Sequence, residues 1–416
     1  MAESVIRFAN GGLTVPPPLS LYIHLPWCVR KCPYCDFNSH AFLASPASGR
    51  GAGGEGALPE AAYIDALLTD LELALPDIWG RRIHTVFFGG GTPSLFSPEG
   101  IDRILTGVRT LTQLLPGAEI TLEANPGTVE ATKYKGFREA GVTRASLGIQ
   151  SFNPRHLQAL GRIHDDSEAR RAAELAATHF DTFNLDLMFA LPGQTLAEAL
   201  GDIETALAFQ PPHLSAYHLT LEPNTPFGHS APPNLPDDDL AADMQLAIEA
   251  RLSEAGMQHY ETSAYARPQH ASRHNLNYWQ FGDYLGIGAG AHSKLSFQNR
   301  IVRQMRAKHP QQYMQSLLRP FPAGGGARGE GKHITDTRTL TRADLPFEFM
   351  MNTLRLNEGV PATLFEERTG LPLLICKAAL ERARAQGLLE NDAVRLKPTL
   401  QGQRFLNDLL ELFLVD

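Results

Sequence analysis

The chain has 416 residues, 43% of them hydrophobic and 20% charged, so it is long enough for two or three domains and is not disordered as its main state. With 37 Lys and Arg against 45 Asp and Glu its formal charge is −8, the wrong sign for a protein that coats nucleic acid by counterion release. No stretch approaches the roughly 18 apolar residues of a membrane helix, and residues 1–12 have neither the basic start nor the apolar run of a leader, so a cytoplasmic chain is expected.

After a tail over residues 1–18, short apolar runs at Leu19–Ile23, Thr85–Phe88, Ile120–Glu123, Arg144–Ile149, Thr182–Leu187 and His213–His218 have the length and composition of strands. Segments with apolar residues at helical spacing separate them, at Pro59–Leu75, Pro98–Leu114, Glu130–Ala140, Asp166–Thr178 and Leu196–Phe209, several opening after a Ser, Thr or Asp cap. This alternation predicts a parallel α/β sheet, a partial TIM-like (β/α)6 barrel, over residues 19–256, with Asp237–Gly256 as a further helix. Residues 257–335, where Met257–Ser293 shows no clean period, are expected to cap the sheet and lead onward. Residues 336–416 turn helical again, with a hairpin over Leu388–Thr399 around Asn391 and Asp392 and a last helix Gln401–Leu414, which predicts a winged-helix-like domain. The Gly-rich stretches 44–57 and 322–332 read as flexible insertions.

Four cysteines are present, and three of them, Cys28, Cys32 and Cys35, fall within eight residues while Cys376 stands alone, which is no disulfide framework. They follow the first strand, where such sheets build their sites. Three thiols cannot complete the four-ligand shell of a structural zinc, nor ligate all the irons of a [4Fe-4S] cube, in which one iron stays open. A zinc site completed by His24 or His40 is the alternative. A second turn, Gly89, Gly90 and Gly91 followed by Thr92 and Pro93, directly follows the second strand and lets backbone come close to a neighbour.

The cysteine spacing, with Tyr34 before the last thiol, and this GGGTP turn resemble the signatures of the radical S-adenosylmethionine superfamily. The resemblance implies that the open iron is chelated by the amino and carboxylate groups of S-adenosylmethionine, with Tyr22, Tyr34, Gly90, Gly91 and Thr92 at that site. Glu123 in LEANP, Gln150 in SLGIQSF, Arg162 in LGRIH and Asp186 in LDLMFALPGQT keep the order of the oxygen-independent coproporphyrinogen III oxidase family. The equivalent positions there contact the ribose, carboxylate and adenine edges of the cofactor.

Two features select a branch. The true oxidases carry a further cysteine where this chain has Phe37, and an extension before the cluster, whereas 27 residues precede Cys28. The segment HNLNYW, with His274, Asn275, Asn277, Tyr278 and Trp279, resembles the HNxxYW motif of the haem chaperones related to those oxidases. That resemblance implies haem bound at His274, Asn275, Tyr278 and Trp279, with imidazole as a candidate iron ligand and flat aromatic surface for the macrocycle. It further implies transfer to acceptor haemoproteins of the respiratory chain, met at the membrane surface, and a homodimer. The rival readings are the oxidase itself, an enzyme of porphyrin biosynthesis, and a regulator that binds nucleic acid through Lys377, Arg382 and Arg384, which serve equally as a solvated helix face.

Overall fold

The computed structural model describes residues 13, 15–42, 58–128, 131–318 and 333–414, and both Gly-rich stretches lie outside the described residues. All six expected strands form: β1 (Leu19–Leu25), β2 (Arg82–Gly90), β3 (Gln113–Ala124), β4 (Arg144–Gln150), β5 (Thr182–Phe189) and β6 (His213–His218), each parallel to the next. The crossovers are α1 (Glu60–Ala74), α2 (Pro98–Leu111), α3 (Ala131–Ala140), α4 (Asp166–His179) and α5 (Leu196–Ala208). Their starts are chemically fixed: Ser97 caps α2, and Asp165 with Glu168 and Thr195 with Glu198 form capping boxes on α4 and α5.

The strands alternate apolar and polar residues, unlike a parallel sheet that is apolar on both faces. Ile23, Val86, Leu122, Leu147 and Leu185 join helix residues such as Leu67, Ile104 and Phe137 in the main core. The other face presents Tyr22, Glu123, Ser146, Asn184 and Asp186, so the concave side is built for polar ligands and the convex side for packing.

Beyond α6 (Asp238–Glu254) the structure departs from the expected cap. Residues 257–293 lengthen the sheet instead. Strands β7 (Gln258–Glu261) and β8 (Ala264–Ala266) add antiparallel beyond β6. Helix α7 (Arg273–Trp279) intervenes, and β9 (Asp283–Ile287) then joins the free edge of β1 as a seventh parallel strand. Strands β10 (His292–Ser296), β11 (Ile301–Arg306) and β12 (Ile334–Thr339) continue antiparallel, giving a twelve-stranded sheet. These strands escape a periodicity reading because they bury charges as pairs: Asp283 accepts from Lys294 Nζ at 3.0 Å and from Arg81 Nη1 at 2.8 Å.

The C-terminal domain packs Phe349, Phe365, Leu380, Leu396 and Leu409 into a second core. The base of the expected hairpin forms, with Leu389 bridged to Pro398, but Arg395–Leu396 pairs with Val360–Pro361 rather than within the hairpin. The expected last helix is broken into Leu400–Arg404 and Leu406–Glu411 at Phe405, whose ψ of 48° is not helical.

One buried knot ties α1 to the added strands. Asp70 accepts from Arg306 Nη2 at 3.2 Å, from Tyr313 Oη at 2.8 Å and from the Gly288 amide at 3.3 Å, and both charged side chains are almost wholly buried. Burial pushes this carboxyl up, yet the Arg306 guanidinium and His333 outweigh it and hold it at about 2. A carboxyl depressed in the folded state adds stability that is full above its unfolded value near 4 and is lost as pH falls toward about 2. Asp70→Asn, which strands the Arg306 charge in the interior, is expected to cost about 3–5 kcal/mol in urea unfolding at neutral pH, and to remove that part of the acid sensitivity.

Candidate functional site

The parallel strands end at one rim, and two backbone turns meet there. Trp27–Cys28 pairs with His40–Ala41, closed by the His40 amide on the Pro26 carbonyl and the Phe42 amide on the Cys28 carbonyl, both at 2.7 Å. The glycine turn packs directly on this loop: Gly91 donates to the Leu25 carbonyl at 2.8 Å and Thr92 to the Trp27 carbonyl at 2.7 Å. A Cβ at Gly91 would lie 2.5 Å from the Trp27 carbonyl oxygen, and one at Gly90, where φ is +116°, would lie 2.5 Å from the His24 ring. Glycine is required at both by close approach and, at Gly90, by φ.

Cys28, Cys32 and Cys35 are free and line one cleft of about 430 Å³, together with Tyr34, Gly90, Gly91, Thr92, Glu123, Gln150, Arg162 and Asp186. Of the residues expected around S-adenosylmethionine only Tyr22 is set apart: it lines an adjoining cavity and gives its hydroxyl to His24 Nδ1 at 3.0 Å. Thr92 Oγ1 donates to Cys28 Sγ at 3.5 Å, and Arg162 Nη1 to Cys32 Sγ at 3.7 Å. Burial pushes the Cys28 and Cys35 thiols up, so iron binding must displace their protons. Cys376, pushed up to about 12 by burial in the C-terminal core, takes no part.

Two buried carboxyls face the cleft. Burial, then repulsion from Asp186, pushes Glu123 up to about 8, against one amide bond from Gly90 at 3.3 Å. Burial raises Asp186 as well, although Asn184 Nδ2 at 2.8 Å and Ser146 Oγ at 3.1 Å donate to it. At neutral pH this pair holds a proton, and so can both donate to and accept from a sugar diol. Arg162 Nε and Asn125 Oδ1 are buried in the same walls without a partner among the described residues, and Gln150 sits at φ 71°. Unpaired buried polar atoms and a strained non-glycine residue in one cleft are the mark of a ligand site. Asn125, Arg144 and Asn184 also line it; Asn125 stands in the LEANP motif but is not singled out by it, and Arg144 and Asn184 carry no motif and were not legible in the sequence.

The donor set fits a cluster better than a single ion. His24 uses both ring nitrogens, the second donating to the Asn38 carbonyl at 2.9 Å, and burial lowers it to about 4. His40 packs edge-on against His309 with centroids 5.4 Å apart. Among the described residues no three His, Cys, Asp or Glu side chains converge on one point. Thiols spread around a cavity suit a [4Fe-4S] core, in which each thiolate takes its own iron, and the cleft leaves room and polar partners for S-adenosylmethionine at the fourth.

Helix α7 divides the HNLNYW residues. Its first turn is capped by Ser272, and the His274 and Arg273 amides donate to the Glu119 carboxylate at 3.0 and 3.2 Å. His274 is 3% exposed toward the amino-terminal half of the strands, bonded through Nδ1 to Thr85 Oγ1 at 2.9 Å and packed on Phe87. Burial keeps it neutral, lowering it to about 3, and its Nε2 has no partner among the described residues. Asn277 Nδ2 ties the helix to Ser20 Oγ at 2.8 Å and to the Asp283 carbonyl at 2.9 Å. Trp279 lies under the Arg355 guanidinium at 4.3 Å and packs on the C-terminal core. Asn275 reaches the cleft, and Tyr278, stacked on Tyr284 at 4.0 Å, reaches the adjoining cavity; His274 and Trp279 line neither.

The three basic residues offered for nucleic acid are occupied within the C-terminal domain. Lys377 pairs with Glu381, Arg382 donates to the Leu412 carbonyl and Arg384 to the Asp392 carbonyl, both at 2.9 Å.

A model of the radical SAM superfamily matches residues 22–206 and a model of the HemN C-terminal domain matches residues 340–405. The chain is similar to Heme chaperone HemW of Escherichia coli, 48% identical over 402 residues, covering 96% of this chain and 99% of that protein. Heme chaperone HemW of Mycobacterium tuberculosis is 34% identical, covering 94% of each chain, and that of Bacillus subtilis 31%, covering 95% and 99%. Among solved structures, coproporphyrinogen III oxidase (HemN) from Escherichia coli superposes with a TM-score of 0.76 at 22% identity, over 96% of this chain and 90% of that one, a likeness of fold.

Reconstituting Cys32→Ser anaerobically with iron and sulfide is expected to leave the broad visible absorption of the cluster absent, with iron and sulfide at background. Glu123→Gln is expected to keep that absorption but to weaken S-adenosylmethionine binding about tenfold or more by calorimetry, because the amide cannot supply both the donor and the acceptor of the shared-proton carboxyl pair and leaves a buried partner unsatisfied.

Proposed function

The chain belongs to the HemW family of haem chaperones within the radical SAM superfamily, and from that premise we propose that it binds haem and passes it to acceptor haemoproteins, with a [4Fe-4S] cluster and S-adenosylmethionine in its cleft. The observation that carries this reading is the 48% identity to a haem chaperone over 96% of the chain, and the three cysteines lining one cleft with the glycine turn support it.

In this reading Cys28, Cys32 and Cys35 hold three irons, and the backbone of Gly90 to Thr92 receives the amino group of S-adenosylmethionine. Glu123 and Asp186 address its ribose, and Gln150 with the planar fork of Arg162 its carboxylate. When bound, the cluster supplies an electron source beside a sulfonium, and the chain supplies position and exclusion of water. Phe37, at the position of the oxidases' further cysteine, lies 60% exposed in the wall between the cleft and the adjoining cavity.

The acceptors are haemoproteins of the respiratory chain, approached at the membrane surface, and the chain works as a homodimer. Supporting this are the exposed Leu374, Ile375, Leu400 and Phe405 of the C-terminal domain, apolar side chains available for docking.

Anaerobic reconstitution followed by haemin titration is expected to give a saturable Soret band at one haem per chain. A parallel tube with coproporphyrinogen III, S-adenosylmethionine and reductant is expected to give no protoporphyrinogen; turnover there would make the chain an oxidase despite Phe37.

A further inference from the structure

An axial ligand must stand in the wall of a space that admits a rigid macrocycle, and His274 stands in neither space at the rim. Its ring is wedged between Thr85 and Phe87 below the polar face, where moving it would break the bonds that seat α7.

His292 meets the requirement. It opens β10 directly after the Gly288–Ala291 turn, is exposed, and lines the second cavity, of about 370 Å³, on the β1 and β9 side of the rim. Its ring makes no hydrogen bond among the described residues. Partial burial, then the Lys308 and Arg303 charges, lower its proton affinity, so a nitrogen lone pair is available near neutral pH.

The walls around it are held in place. Tyr278 is fixed by its stack on Tyr284, and Asn38 Nδ2 donates to the Ala289 and Lys308 carbonyls at 2.9 Å each, tying the cluster loop to the turn before His292 and to the start of the next segment. Phe37 closes the side toward the cleft, and the exposed Lys308 puts a cation at the mouth. The cavity is also lined by the Asp36 and Glu123 carboxyls, by Tyr22 and by His24, so its polar side lies toward the cleft; the aromatic faces of Phe37 and Tyr278, the unengaged imidazole and the Lys308 cation are the part that matches a flat disc with a central metal and anionic edge groups.

We propose that His292 is the protein ligand to haem iron, with the macrocycle against Phe37 and Tyr278 and a propionate at Lys308. This rests on the haem-chaperone reading and names its cargo site. His274 is then a positioning residue that seats Tyr278 through α7.

The test titrates ferric haemin into the reconstituted full chain and into His292→Ala, reading the Soret band, electron paramagnetic resonance and affinity, with cluster content and circular dichroism as fold controls. Expected for His292→Ala are loss of the nitrogen-ligand signature, binding weakened about tenfold or more, and return of the signature on adding free imidazole. His292→Met, which keeps the cavity filled, must change the ligand field even if the alanine variant folds poorly. An unchanged spectrum and affinity in either variant overturns the assignment while leaving the chaperone reading intact. Failure of the parent chain to bind haemin overturns both.

Discussion

Everything at the rim depends on two backbones lying closer than side chains allow. The turn at Gly90 to Thr92 gives its amides to Leu25 and Trp27, and a single methyl at Gly91 would collide with the Trp27 carbonyl. That contact fixes where the loop from Cys28 to Cys35 leaves β1, and so where three thiols face one cleft. With those amides spent inside the protein, the turn has its backbone carbonyls left for a ligand's donor groups, and no side chain is needed at those positions. The glycines are therefore both the hinge of the loop and part of the site.

The strands bring the rest of the cleft to this point through alternation. Each barrel strand sends one set of side chains into the helices and the next into the cleft, so Glu123, Gln150 and Asp186 arrive together although the chain separates them. Crowding buried carboxyls is costly, and the cost appears as raised proton affinity at both Glu123 and Asp186. Such a pair is a poor structural element and a good recognition element, since a bound diol supplies the hydrogen bonds that the protein leaves unmade.

How much of this was legible followed from how local each determinant is. The six barrel strands, their crossovers and the two motif turns are written in contiguous residues, and they form where expected. Glu123, Gln150, Arg162 and Asp186 could be placed only by resemblance, because nothing around each of them marks a ligand. Strands β9 to β12 were missed because Asp283, Lys294 and Arg306 interrupt the apolar period and become tolerable only once paired with partners far along the chain. HNLNYW was recognisable as a motif, but its division was not: His274 answers to Glu119 and Thr85, and Trp279 to Arg355. His292, one of 15 histidines, has no signal in its neighbours and acquires meaning only when β10 brings it to a cavity.

The cleft and the second cavity share a partition made of Phe37, Gly90 and Glu123. A common wall makes their occupancies thermodynamically linked whenever filling one displaces it. Linkage of this kind is reciprocal: the factor by which a guest in one chamber alters affinity in the other is the factor by which the second guest alters the first. If the cleft holds S-adenosylmethionine and the second cavity the cargo, as proposed, a rise in either turns the same dial, and the thin partition sets its gain.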